Sequence, residues 1–169
     1  MHLVNHDPLT DLPSLRLAKD RLSLALGMAR RNKTMAAVMF IDLDGFKTVN
    51  DTLGHDAGDD VLKQVSQRLL SCVREIDTVA HVGGDEFLLI ATGLQAPEHA
   101  ALIAEKILQA VSRPVILNGR QTAVSASIGI ALHPDHGGDE DQLIKLADEA
   151  MYRVKYSGKN GYTFAHPAK

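Results

Sequence analysis

The sequence predicts an α+β domain in which a central, mostly antiparallel five-stranded sheet is flanked by helices. Several segments repeat apolar residues at three- and four-residue steps, which is the pattern of amphipathic helices. Short apolar runs separated by turn residues at 83–86 and 118–119 predict two hairpins, and therefore antiparallel pairing. A length of 169 residues fits one hydrophobic core. We therefore predict a single domain over 1–169, with a turn or linker over 1–13 and a catalytic core over 14–165.

Composition excludes several classes of protein. Apolar residues make up 45% of the chain and charged residues 23%, as in ordinary globular domains. A net charge of −3 argues against binding to nucleic acid. No apolar run approaches the ~20 residues of a membrane helix, and no secretory leader is recognisable. Cys72 has no internal disulfide partner, which is typical of a reducing compartment. We expect a cytoplasmic domain and leave open whether a parent protein is membrane-anchored.

The first third of the chain predicts a turn, a helix and a buried strand. Two prolines and two aspartates over 7–13 rule out a helix there. Ser14 is the predicted N-cap of a helix that ends near residue 31. A continuous apolar run over 36–41 predicts a strand buried on both faces, and Asp42 follows it.

The middle of the chain predicts a loop, a helix and a hairpin. Residues 45–59 are rich in polar groups and glycine, so we predict a loop. One apolar face over 61–73 predicts a helix, with Asp59 and Asp60 in its first turn, where the helix dipole favours anions. Strands over 78–82 and 87–91 then form the first hairpin.

The last third predicts a helix, a second hairpin, a helix and a short strand. Pro97 opens the first of these helices, which ends near residue 112. The Asn-Gly pair at 118–119 joins predicted strands over 115–117 and 122–132. Asp139 begins a helix that runs to 156, and a strand over 162–164 closes the chain.

Acidic residues gather where two predicted strands end. Asp42 and Asp44 are two positions apart, so their side chains point to the same side of the sheet. Asp85 and Glu86 lie at the tip of the first hairpin and converge on them if the strands are neighbours. Carboxylates this close repel each other, and a divalent cation such as Mg²⁺ or Mn²⁺ relieves the repulsion. Three or four acids around one cavity are typical of phosphoryl-transfer metal sites.

Gly-Gly-Asp-Glu alone is a weak signal, because the sequence contains it twice. The copy at 137–140 leads into a helix, where Asp139 is a plausible N-cap. The copy at 83–86 lies between two strands and is followed by Phe87. Its glycines accept a positive φ and let a ligand approach the backbone, although a simple polar turn has the same composition.

The segment after Asp42 has three interpretations. A calcium loop fails, because Phe46 and Lys47 occupy the positions that need Asp or Asn and then Gly. Lys47 is placed to neutralise a phosphate, and Asn50 and Asp59 offer the amide and carboxylate that read a guanine edge. A capped, solvated loop before the next helix is the alternative for the same residues.

Five segments, in the same order, resemble the GGDEF domain of diguanylate cyclases over essentially the whole length. Residues 7–10 resemble the D-x-L-T turn, and residues 40–51 resemble the first strand and metal loop. Residues 54–59 resemble G-H-x-x-G-D, residues 83–87 the signature itself, and residues 150–161 the closing helix.

The resemblance implies an enzyme that condenses two GTP molecules into cyclic di-GMP and releases two pyrophosphates. Each domain of an antiparallel pair would hold one GTP, and the sheet would be palm-like, as in nucleotide cyclases. The implied partners are GTP, cyclic di-GMP, a second GGDEF domain and, in a parent chain, sensory or EAL domains.

The resemblance also implies roles for individual residues. Two Mg²⁺ ions, with Mn²⁺ as a substitute, would be held by Asp42, the Leu43 carbonyl and Asp85. Asp85 would also help to deprotonate the 3′-hydroxyl, and Lys47 would stabilise charge on the transferring phosphate. Guanine would be read by Asn50 and Asp59 with His55 nearby, and Lys155 and Lys159 would meet the β- and γ-phosphates. Glu86 would be a supporting acid or a hairpin residue.

Arg74 and Asp77 resemble the inhibitory R-x-x-D motif of the family, and five residues separate them from the signature. An arginine can bind a phosphate with two donors and stack on a purine, so this spacing favours product binding and feedback inhibition. The alternative is a helix-end arginine paired with a capping aspartate.

Some positions depart from the family pattern. His81 stands where the family often has an arginine that would pair with the acid of the N-terminal turn, here Asp7. Lys159 replaces the commoner arginine, and Asp11, Ser14 and Leu15 also depart. These departures are expected to affect the catalytic rate more than nucleotide binding. We therefore keep a second hypothesis, a catalytically weak GTP- or cyclic di-GMP-binding module that regulates an adjacent EAL phosphodiesterase, and a third, a mononucleotide cyclase.

Overall fold

A computed structural model describes residues 5–166 and places seven strands and five long helices in this part of the chain. The helices are α1 (Leu15–Asn32), α2 (Phe46–Leu53), α3 (His55–Ser71), α4 (Pro97–Val111) and α5 (Glu140–Tyr156). The strands are β1 (Met35–Asp44), β2 (Thr78–Gly83), β3 (Glu86–Leu94), β4 (Val115–Leu117), β5 (Arg120–Thr122), β6 (Ser125–His133) and β7 (Gly161–Phe164). None of these helices has the length and hydropathy needed to cross a bilayer.

Five strands form the main sheet in the order β2-β3-β1-β6-β7. Every neighbouring pair is antiparallel except β6 and β7, which are parallel. Strand β1 lies in the centre, and Asp42 near its end pairs with Glu86 on one side and Ser127 on the other. The predicted fold class is confirmed, and the central strand ends beside the predicted hairpin tip.

Two hydrophobic cores cover the two faces of the sheet. Met39 and Ile41 of β1 pack with α3 and α4, whereas Val38 and Phe40 pack with α1 and α5. Burial on both faces explains why β1 is a continuous apolar run rather than an alternating one. By the same alternation, Asp42 and Asp44 follow Phe40 on the α1 and α5 face.

The predicted loop over 45–59 is wrong, because the structure forms α2 and the start of α3 there. Phe46 and Val49 are buried against the core, so packing outweighs the polar composition. Gly54 separates the two helices with a φ of 93° that only glycine adopts without strain. Since α3 begins at His55 rather than Val61, its first turn contains Asp56, not the predicted Asp59 and Asp60.

The second predicted hairpin is half right. The Asn-Gly turn at 118–119 has the two positive φ angles of a hairpin turn, 50° and 78°. However, β4 pairs only with β5 in a separate two-stranded sheet, and β6 joins the main sheet beside β1. Val124, buried between β5 and β6, marks the point where the chain moves from one sheet to the other.

The predicted helix caps are confirmed. The Ser14 hydroxyl accepts a hydrogen bond from the backbone N–H of Leu17, and the Asp139 carboxylate accepts one from Gln142. The predicted N-terminal turn over 1–13 lies partly outside the described residues. In its described part, the backbone N–H and hydroxyl of Thr10 both donate to Asp7, which closes the turn.

Candidate active site at the rim of the sheet

The site is built where β1 ends beside the β2–β3 hairpin. The Leu43 backbone N–H donates to the carbonyl of Asp85 over 3.1 Å. This contact brings Asp85 next to Asp42, although 43 positions separate them in the chain. The predicted convergence of the strand end and the hairpin tip is therefore present.

The glycine turn before Asp85 is held by a side chain of β2, which also contacts the N-terminal turn. Gly84 has a φ of 50°, in the left-handed region that favours glycine. The His81 ring places Nε2 2.8 Å from the Gly84 carbonyl and Nδ1 3.1 Å from Asp7 Oδ2, as expected for the pairing with the N-terminal turn. Both neighbours are acceptors, so only the protonated ring donates to both. Although burial opposes it, hydrogen bonds from Thr10 and His81 keep the pKa of Asp7 below its ordinary value.

Asp42 is in an environment that disfavours its negative charge. Its Oδ1 atom is buried and has no hydrogen-bond donor among the described residues. Burial, followed by repulsion from Asp85, raises its pKa to about 6, although Lys155 acts in the opposite direction. A divalent cation would relieve both causes. Asp42, Asp85 and the Leu43 carbonyl offer only oxygen donors, the ligands that Mg²⁺ and Mn²⁺ prefer, so these residues fit the implied metal.

Asp44 serves a different purpose from its neighbour Asp42. It accepts hydrogen bonds from the hydroxyls of Ser125 and Ser127 at 2.7 and 2.8 Å and from the Asn160 backbone N–H at 3.0 Å. With Lys155 as a fourth donor, these bonds outweigh burial and lower the pKa of Asp44. Its oxygens are thus used within the protein.

Three or four acids around one cavity were expected from the sequence; among the described residues, no three His, Cys, Asp or Glu side chains form a group that could hold one metal ion, so the candidate ligand set keeps two carboxylates, Asp42 and Asp85. Ser125, Ser127 and Asn160 were not among the residues predicted for the site. Their only sequence signal is that Ser125 and Ser127 repeat the two-residue spacing of the aspartates opposite them in the sheet.

Lys155, in the last turn of α5, binds protein oxygens. Its ammonium donates to the Leu43 carbonyl at 3.2 Å and to Asp44 Oδ1 at 2.9 Å, and it lies 3.3 Å from Asp42 Oδ2. One cation thus contacts Asp42 and Asp44 together, which confirms that both side chains leave β1 on one face. Burial works against the charge, but the two carboxylates raise the pKa of Lys155 above its ordinary value.

The predicted guanine-reading residues lie on α2 and α3, around Gly54. The Asn50 side chain fills the space beside Gly58, where an added Cβ would lie 1.8 Å from Asn50 Oδ1. Asp59 follows Gly58 directly in α3, and the Asn50 side chain of α2 lies beside Gly58. The Asn50 amide and the Asp59 carboxylate therefore come from two helices that meet at Gly58. Lys47, His55 and Asp59 are exposed.

The last predicted substrate residue, Lys159, is also exposed. It lines an open cavity of about 420 Å³ together with Asp44, Gly45 and Ser125. Lys159 and the rim carboxylate of Asp44 therefore border the same open space.

Arg74 and Asp77 form a compact turn between α3 and β2. The Arg74 guanidinium donates to both carboxylate oxygens of Asp77 at 3.1 and 3.2 Å and also to the Thr92 carbonyl. The Asp77 carboxylate also accepts from the backbone N–H groups of Arg74 and Thr92. The Asp77 side chain is 1% exposed and that of Arg74 51%, so only the arginine presents a surface to a ligand.

Acidic side chains at the rim of a helix-covered antiparallel sheet, next to a glycine turn, are typical of metal-dependent phosphoryl-transfer domains. A family model described as "Diguanylate cyclase, GGDEF domain" matches residues 4–161, and the chain belongs to this family.

Relatives with known names support the assignment. The chain is 45% identical over 164 residues to the bifunctional diguanylate cyclase/cyclic di-GMP phosphodiesterase MucR of Pseudomonas aeruginosa, covering 97% of this chain and 24% of MucR. It is 40% identical over 165 residues to the diguanylate cyclase TpbB of the same species, covering 97% of this chain and 38% of TpbB. The chain therefore spans between a quarter and two fifths of these relatives.

Solved structures of GGDEF domains have the same fold. The GGDEF domain of TpbB superposes with a TM-score of 0.93 at 40% identity, covering 95% of this chain and 94% of that one. The GGDEF domain of DgcB from Caulobacter crescentus, solved in complex with cyclic di-GMP, gives 0.85 at 30% identity, covering 95% of each chain.

Proposed function

We propose that this chain is the catalytic domain of a diguanylate cyclase that condenses two GTP molecules into cyclic di-GMP and two pyrophosphates. The observation that carries the proposal is the contact between the end of β1 and the hairpin tip, which puts Asp42, Asp85 and the Leu43 carbonyl at one rim. The names of the relatives and the family model support the same activity.

The rim residues have defined roles in this proposal. Asp42, the Leu43 carbonyl and Asp85 hold two Mg²⁺ ions, or Mn²⁺ in their place. When bound, the metal stabilises charge on the attacking and leaving oxygens of the phosphoryl transfer. Asp85 helps to accept the proton of the attacking 3′-hydroxyl, and the exposed Lys47 offsets charge on the transferring phosphate.

The remaining residues bind the nucleotide. Asn50 and Asp59 contact the guanine edge with His55 beside them, and Lys155 and Lys159 meet the β- and γ-phosphates. One domain supplies half of the site, so the 3′-hydroxyl bound by one copy attacks the α-phosphate bound by a second copy.

Purified protein incubated with GTP and Mg²⁺ tests this function. We expect cyclic di-GMP, identified by chromatography, and a rate per domain that rises with protein concentration, because two half-sites must meet. A rate strictly proportional to protein concentration over a wide range would contradict pairing. A 3′,5′-cyclic mononucleotide as the product would replace this proposal with a mononucleotide cyclase.

The alternative function is a GTP- or cyclic di-GMP-binding module that regulates an adjacent EAL phosphodiesterase. It is favoured by His81, which replaces a permanently charged arginine with a titratable ring beside the signature turn, and by the bifunctional name of MucR. Tight GTP binding without any turnover, measured on the same preparation, would select this alternative.

Replacing Gly58 with alanine is expected to weaken GTP binding without unfolding the domain. The new methyl group would collide with the end of the Asn50 side chain, which can rotate away but then leaves the guanine edge. Loss of one such contact weakens affinity by about tenfold. Calorimetric titration with GTP measures it, and the half-buried Gly27, where an added Cβ meets nothing within 4 Å, gives the matched control Gly27→Ala. Equal GTP affinity in Gly58→Ala and Gly27→Ala would contradict the guanine contact.

We also propose that Arg74 binds the product and mediates feedback inhibition, with Asp77 holding the guanidinium in position. The support is the half-exposed guanidinium on a buried carboxylate and the solved complex of DgcB with cyclic di-GMP. Replacing Arg74 with alanine is expected to abolish inhibition by added cyclic di-GMP and to leave GTP affinity unchanged. Initial rates with and without added product measure this, with the neighbouring Glu75→Ala as the control. Unchanged inhibition in Arg74→Ala would reject the assignment.

A further inference from the structure

The Lys155 ammonium has three protein acceptors, and two of them are proposed metal ligands. It contacts Asp42, the Leu43 carbonyl and Asp44 within 3.3 Å. An ammonium has three N–H donors, so these contacts use its full capacity. Its side chain is 22% exposed, which makes this a largely enclosed arrangement and not a surface ion pair.

The two carboxylates depend on Lys155 to different degrees. Asp44 also accepts hydrogen bonds from Ser125, Ser127 and the Asn160 backbone, so it remains well satisfied without the lysine. Asp42 forms an ion pair with Lys155, whereas its Oδ1 atom has no donor in the described part of the chain. Lys155 is therefore the one cation that Asp42 contacts in the described part of the chain, and Asp44, at 2.9 Å, holds the ammonium nearby.

We infer that Lys155 is an internal cation that competes with the divalent metal for Asp42 and the Leu43 carbonyl. The inference rests on the proposed function, because it takes these groups to be metal ligands. A metal bound there would lie within a few ångströms of a like charge, and this repulsion is strong in a partly buried site. Metal binding therefore requires the ammonium to leave Asp42 and Leu43, while Asp44 keeps it at the rim.

This competition couples the metal to the triphosphate. Metal alone must displace Lys155 without giving the ammonium a new partner. A nucleoside triphosphate supplies phosphate oxygens for the displaced ammonium. Metal and nucleotide therefore each strengthen the binding of the other through the Lys155 side chain. The native domain is then selective for the metal–nucleotide complex over the free metal.

Binding of Mn²⁺ alone, without nucleotide, tests the inference through the electron paramagnetic resonance signal of free Mn²⁺. Lys155→Met, which keeps the length of the side chain and removes the charge, is expected to bind Mn²⁺ more tightly than the native protein by about tenfold or more. The control is Lys145→Met on the exposed side of the same helix, with native affinity expected. Native or weaker affinity in Lys155→Met would overturn the inference.

A second measurement uses the native protein and does not depend on the folding of a variant. The Lys155 amine is expected to react slowly with an acetylating reagent and several-fold faster once Mn²⁺ is added, as read by peptide mass spectrometry. An unchanged or lower rate with Mn²⁺ would count against displacement. Neither measurement requires turnover, so failure to make cyclic di-GMP would reject the proposed activity and leave the Lys155 result to stand on its own.

Discussion

Replacing Asp85 with asparagine is expected to abolish cyclic di-GMP synthesis while the domain stays folded. The substitution removes a proposed metal ligand and proton acceptor but keeps the size of the side chain. The backbone bond from Leu43 N–H to the Asp85 carbonyl is unaffected, so the hairpin stays against β1. Metal stabilisation of a phosphoryl transfer supplies several kcal/mol, so we expect the rate to fall by about a thousandfold or more.

The sequence supplies a matched control for this experiment. Asp139 occupies the same position in the second Gly-Gly-Asp-Glu segment, where it caps α5 through Gln142. Asn is as good an N-cap as Asp, so Asp139→Asn is expected to keep native activity and native circular dichroism. If Asp85→Asn and Asp139→Asn make cyclic di-GMP at the same rate, Asp85 has no part in catalysis.

The sequence predicted the fold wherever a local pattern had one physical explanation. The unbroken apolar run of β1 has the length of a strand covered on both faces, and Ser14 and Asp139 stood where helix caps are needed. The polar segment over 45–59 was mistaken for a loop, because its helices depend on the burial of Phe46 and Val49. That burial is a tertiary effect, and local composition does not record it.

The site was predictable in part for the same reason. The two-residue spacing of Asp42 and Asp44 fixed their common face, and the resemblance connected them with Asp85. Neither the spacing nor the resemblance indicated that Asp44 accepts hydrogen bonds from Ser125, Ser127 and Asn160, because the order of the strands decides which residues meet it. The position of Lys155 between the two carboxylates likewise follows from the packing of α5 against the sheet.

Asp42→Asn is expected to lose activity and yet make the metal-free domain more stable at neutral pH. The folded state raises the pKa of Asp42 from 3.8 to about 6, so between about pH 4 and 6 the folded state binds a proton that the unfolded state has released. The free energy of unfolding therefore falls as the pH rises through this window. Allowing for solvent at the rim, the loss is about 1–2 kcal/mol above pH 6.

Asparagine removes this penalty because its amide carries no charge and can donate to the neighbouring Asp85 carboxylate. Urea unfolding with a chelator present measures the effect. We expect equal stabilities near pH 4 and a more stable variant near pH 7.5, while cyclic di-GMP synthesis is lost. A variant no more stable than the native domain near pH 7.5 would show that Asp42 carries no such penalty.

Asp44→Asn is the matched control, since both aspartates leave the same strand on the same face. In the native domain the pKa of Asp44 is lowered, because hydrogen bonds from Lys155, Ser125, Ser127 and the Asn160 backbone outweigh burial. The charge of Asp44 therefore stabilises the fold at pH values above the ordinary pKa of an aspartate. Losing these bonds is expected to destabilise the domain near pH 7.5 by about 1–3 kcal/mol. Opposite changes in stability at Asp42 and Asp44 would separate the carboxylate that the fold leaves for a metal from the one that the fold itself uses.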